Sequence, residues 1–106
     1  MEHVQIDALE RRPKLNRFVV ERRPLIVGGA LSMLREALTD ASRRLTARGQ
    51  PVRYLRSVSL PDEGRMLCFF EAVSADAVRV VNRNAMAPFI SIQVAEKNTY
   101  PSPYAG

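Results

Sequence analysis

Residues 66–70, Met-Leu-Cys-Phe-Phe, place five apolar side chains in a row, and they constrain the fold more than any other stretch of the chain. Alternation along a strand sends neighbouring side chains to opposite faces, so such a run reads as a central strand that needs cover on both sides. The residues before it supply its partner. Val52, Tyr54, Val58 and Leu60 fall on one face of a period-2 run, with Arg53, Ser57 and Ser59 on the other. Between the two runs, Pro61-Asp62-Glu63-Gly64 combines a preset φ, a side chain able to bond its own backbone, and a glycine free to take positive φ. The stretch from Val52 to Val73 is therefore expected to be a hairpin of two antiparallel strands.

The rest of the chain supplies two further strands and two helices. Asn16–Arg22 favours β structure and stops before Pro24, which makes it the first strand. Leu31, Leu34, Leu38, Ala41 and Leu45 recur at helical spacing, with Gly49 and Pro51 as stop signals, so a helix is expected from about Gly29 to Arg48. Ser74 can cap a second helix, with Asp76 in its first turn and Val78, Val81 and Ala85 on one apolar face; it is expected to end near Asn84. After Pro88 a last strand runs from Phe89 to about Glu96. Gly28-Gly29 lacks the lysine and hydroxyl residue of a phosphate loop and reads as a flexible entry to the first helix.

Strand, helix, strand, strand, helix, strand with right-handed crossovers is most economically an α+β, ferredoxin-like βαββαβ fold, a four-stranded antiparallel sheet with two helices on one face. The expected division is an extension over residues 1–15, a domain over 16–97 and a tail over 98–106. Two helices cover one sheet face only. Phe18 or Val19, Leu55, Leu67, Phe69, Ile90 and Ile92 are the apolar candidates for the other, which points to a homodimer closing an α+β barrel.

Charge and composition narrow the function classes. Sixteen Lys and Arg against eleven Asp and Glu leave a net charge of +5, which raises nucleic acid as a partner. The basic residues are dispersed, however, and read as a solvated surface, so nucleic acid is not the expected partner. No segment is apolar enough to span a membrane, and the start lacks the order of a signal peptide, so the expected location is cytoplasmic. One cysteine, Cys68, excludes an internal disulfide.

Residues 52–59, 61–72 and 74–78, with the Cys68-x-x-Glu71-Ala72 core as the most recognisable part, resemble a family of small bacterial ferredoxin-like proteins of mostly unknown function. An actinobacterial member of that family binds nickel. The resemblance covers the first strand and roughly Val52 to Val94, and it implies the same fold. It implies nickel only where ligands match; nickel favours imidazole, with thiolate as another option. The chain offers His3, the metal candidate, and Cys68, whose simpler reading is a small core side chain.

For enzyme chemistry the chain has little to offer, because His3 is the one histidine that could activate Ser57, Ser59 or Cys68. Glu71, set between apolar stretches, is the candidate acid, with an ion pair to Arg56 or Arg65 as its plainer role. The reading is a non-enzymatic dimeric domain with no evident cofactor, binding a small ligand between sheet and helices through Tyr54, Glu71 and Cys68. Two alternatives stay open. One is an RNA-binding module using Phe18 and Phe69 or Phe70, on the analogy of RNA-recognition domains with this topology. The other is a cofactor-free enzyme using the barrel cavity, like the monooxygenases that share the topology.

Overall fold

The computed structural model describes residues 14–99. The elements follow in the order β1 (Leu15–Arg22), α1 (Gly28–Ala47), β2 (Val52–Leu60), a single 3-10 turn (Pro61–Glu63), β3 (Arg65–Ala72), α2 (Ala75–Asn84) and β4 (Ser91–Thr99). The four strands form one antiparallel sheet in the order β2-β3-β1-β4, which is the expected ferredoxin-like arrangement. β1 begins one residue before the expected boundary. β4 starts two residues late and takes in Asn98 and Thr99, which the sequence reading assigned to the tail. The remainder of the expected extension, with His3, and of the expected tail lies outside the described residues.

Local chemistry explains where the elements stop. α1 ends in a paired set of backbone bonds, Gln50 N–H to Leu45 O at 3.2 Å and Gly49 N–H to Thr46 O at 3.0 Å, with Gly49 at φ 95°. The Thr46 hydroxyl then donates to Val52 O at 2.8 Å and accepts from Val52 N–H at 3.0 Å, tying the helix end to the start of β2. Gly64 takes φ 64° and turns the chain into β3. At the start of α2 the Ser74 hydroxyl accepts from Ala77 N–H at 3.1 Å, as its position promised.

The core lies between the helices and one sheet face. Phe18 and Val20 of β1, Met66, Cys68 and Phe70 of β3, and Val52 of β2 meet Leu34, Leu38, Ala41 and Leu45 of α1 and Val78 and Val81 of α2. Phe18 pairs with Phe70, and Val20 with Cys68 on one side and Ile92 on the other. Of the alternatives Phe18 or Val19, that register sets Val19 on the opposite face and Phe18 on the helix side, and it corrects one expectation: Ile92 also belongs to the helix side.

A larger correction concerns β2. The pairing with β3 runs Val52 to Ala72 and Tyr54 to Phe70, then shifts at a bulge so that Arg56 meets Phe69, Ser57 meets Cys68 and Val58 meets Leu67. One extra residue reverses the alternation beyond it. Val52 and Tyr54 therefore face the helices with Ser57 and Ser59, while Val58 and Leu60 turn to the other face beside Leu67.

Candidate functional site

The bulge in β2 assembles a polar cluster in the helix-side core. Tyr54 Oη lies 2.6 Å from Ser57 Oγ, and Ser57 Oγ lies 3.1 Å from Cys68 Sγ. From the other side, Arg22 Nε donates to Cys68 Sγ at 3.4 Å. Arg22 is 1 % exposed and engaged through all three nitrogens: Nη1 donates to the carbonyls of Ala87 and Pro88, both at 3.1 Å, and Nη2 donates to Asn82 Oδ1. Asn82 in turn donates through Nδ2 to Val78 O at 2.7 Å, which holds its carbonyl toward the guanidinium. Among the described residues no carboxylate pairs with Arg22; three oxygens and one sulfur accept from it.

Phe18, Val20 and Arg22 occupy successive helix-side positions of β1, so alternation by itself carries Arg22 inward. The sequence reading had grouped it with the solvated arginines, because charged side chains are seldom buried. Asn82, one turn after Val78, was missed as well, because uncharged polar side chains are also mostly exposed.

Glu71 sits on the opposite face. The register places Arg17 and Arg53 on either side of it. Arg17 donates from Nε to Glu71 Oε2 at 3.2 Å, and its Nη2 lies 3.2 Å from the same oxygen. The Glu71 side chain is fully buried, and Oε1 has no partner. The expected partners Arg56 and Arg65 are engaged elsewhere. Arg56 stacks over the Phe69 ring at 5.4 Å, and Arg65 reaches Glu63 at 2.7 Å and Glu21 at 3.8 Å. The hydrogen bond to Glu63 raises the Arg65 pKa above its ordinary value; burial opposes it, and the charges of Glu63 and then Glu21 add to the rise.

Of the three expected ligand residues, Tyr54 and Cys68 share one face and Glu71 lies across the sheet from them. The open face carries Glu71, then Val19, Phe69 and Arg56 in one cross-strand row, Glu21, Leu67 and Val58 in the next, and Leu60 beside Arg65. Val19, Leu67, Phe69, Val58 and Leu60 are half-buried, whereas Ile90, expected on this face, precedes β4 and is 56 % exposed. Leu55 lies at the bulge. Of the aromatics proposed for RNA stacking, Phe18 and Phe70 are core residues and Phe69 alone reaches the open face.

The described residues include no histidine to activate Ser57 or Cys68. Among the described residues no three His, Cys, Asp or Glu side chains converge as a metal site. No helix among them is long and apolar enough to cross a membrane.

The same fold is found in the crystal structure of SCO4226 from Streptomyces coelicolor A3(2), with a TM-score of 0.63 and 21% identity over 74% of this chain and 94% of that one. None of the curated protein sequences matches significantly. A family model described as "Nickel responsive protein SCO4226-like" matches residues 18–94, from Phe18 in β1 to Val94 in β4. This span takes in both helices, the β2 bulge and the Arg22–Cys68 contact, and the chain therefore belongs to the SCO4226-like family of nickel responsive proteins.

Proposed function

We propose that the protein is a non-catalytic binding domain that works as a homodimer joined through the open face of its sheet. The observation that carries this reading is the apolar set Val19, Val58, Leu60, Leu67 and Phe69, gathered on the face that neither helix covers. Each large apolar side chain removed from water there contributes roughly 1.5–3 kcal/mol. A second copy of the same face supplies that cover by a self-complementary, two-fold contact. Glu21, Arg65 and Arg56 border the apolar rows and set the orientation of the two sheets.

Two open faces packed together enclose a barrel interior, and Glu71 supports placing a small ligand there. Its buried Oε1 is an acceptor in want of an N–H or O–H donor. Tyr54 and Cys68, which already satisfy Ser57 and Arg22, hold the opposite side of the sheet in place. The nickel response in the family's name comes to this chain as membership, not as an identified site.

Light scattering on the untagged protein at micromolar concentration tests the dimer. The expected mass is about twice the 11.9 kDa of one chain. A mass close to 11.9 kDa would remove the proposal.

A further inference from the structure

The donor groups of this domain can be set against the nickel of the family's name. Nickel(II) takes imidazole nitrogen or thiolate, and converging carboxylates to a lesser degree. Residues 14–99 hold no histidine, one thiol in Cys68, and one buried carboxylate in Glu71. These two lie three residues apart on β3 and so point to opposite faces of the sheet, where no single ion can reach both.

Each is also held by an arginine. The Cys68 sulfur already accepts from Arg22 Nε and meets Ser57 Oγ, in a position enclosed on every side by the core. Arg22 cannot swing aside cheaply, since its other donors hold Asn82 and the Ala87 and Pro88 carbonyls. At Glu71, Oε2 is taken by Arg17, and an ion approaching Oε1 would lie beside that same guanidinium in a water-poor setting where like charges repel strongly. Bringing two copies together through the open face would not change this, because each Glu71 brings its own Arg17.

We infer that guanidinium groups take the places a metal ion would need beside Cys68 and Glu71, so that the ferredoxin-like domain of this family member does not bind nickel. The inference does not rest on the dimer, and its test reads metal rather than mass. Untagged full-length protein is titrated calorimetrically with nickel chloride in a non-chelating buffer, alongside the His3→Ala, Cys68→Ser and Glu71→Gln variants. Cobalt(II) chloride serves as a second probe, because thiolate ligation gives it a charge-transfer absorption. The expected result is no stoichiometric heat, or a weak site that His3→Ala abolishes while Cys68→Ser and Glu71→Gln leave it unchanged, with no thiolate band from cobalt. A stoichiometric micromolar site weakened about tenfold or more by Cys68→Ser or Glu71→Gln would overturn it, as would a cobalt–thiolate band lost in Cys68→Ser.

Discussion

Arg22 ties together three parts of the structure. It links the end of β1 to the middle of β3 through Cys68, to α2 through Asn82, and to the turn before β4 through two carbonyls. Removing it leaves those buried acceptors without donors, and each such loss costs about 1–3 kcal/mol. Arg22→Leu is accordingly expected to destabilise the fold by more than about 3 kcal/mol, read as a lower urea midpoint. Arg22→Lys keeps the charge but not the planar fork and is expected to fall between Leu and wild type. Equal stability of Arg22→Leu and wild type would show that the cluster contributes nothing. From sequence, Arg22 reads as one of the dispersed, solvated arginines; alternation carries it inward behind Phe18 and Val20 only once the pairing of β1 with β3 sets Phe18 on the helix side. The Glu71 partner was misjudged for a different reason. Arg56 and Arg65 are its neighbours along the hairpin, but Arg17, far away in sequence, is placed opposite it when β1 pairs with β3.

At the scale of the element, the end of α2 holds a consequence for stability. Ala87 N–H bonds to Asn82 O and Met86 N–H to Arg83 O, both at 2.9 Å, the same paired pattern that Gly49 completes at the end of α1. In α2 the left-handed position belongs to Met86, at φ 54° and 88 % exposed. A side chain there costs roughly 1–2 kcal/mol relative to glycine's freedom. Met86→Gly is expected to raise stability by about 1 kcal/mol, partly offset by the entropy of the unfolded glycine, and a thermal melt with no rise in midpoint would contradict it. Ser74→Ala at the other end should cost about 1 kcal/mol through loss of the bond to Ala77 N–H. Both helices were legible from their spacing, caps and stops. The β2 bulge was not, because Val52–Leu60 satisfies period 2 throughout for its apolar residues except Leu55, and only the pairing with β3 shows where the count slips.

At the scale of the whole molecule, the distribution of cover decides behaviour. α1 and α2 bury one face of the sheet, and Leu67 and Phe69 stand on the other. If the open face is the dimer contact, Leu67→Asp puts a charge into it and is expected to give a mass of one chain or a loss of folding. Arg44→Asp, on the exposed side of α1, should leave the wild-type mass unchanged. Leu67→Asp remaining folded, by circular dichroism, at the wild-type mass would remove the open face as the contact.

What the sequence by itself determined is the set of elements and their fold, because helix spacing, strand alternation, caps and turn residues act over a few neighbouring positions. The family resemblance was likewise legible in the sequence, and the match over residues 18–94 shows the family. Tertiary structure alone decided the contents of the clusters. A single extra residue in β2 turned Ser57 toward Cys68 and Val58 away from the helices, and the pairing of β1 with β3 brought Arg17 to Glu71 and Arg22 to Cys68. Strand register is set by contacts between residues far apart in the chain, and a shift of one position exchanges the two faces. For that reason the sheet could be read from the string of residues, but the groups that meet on each side of it could not.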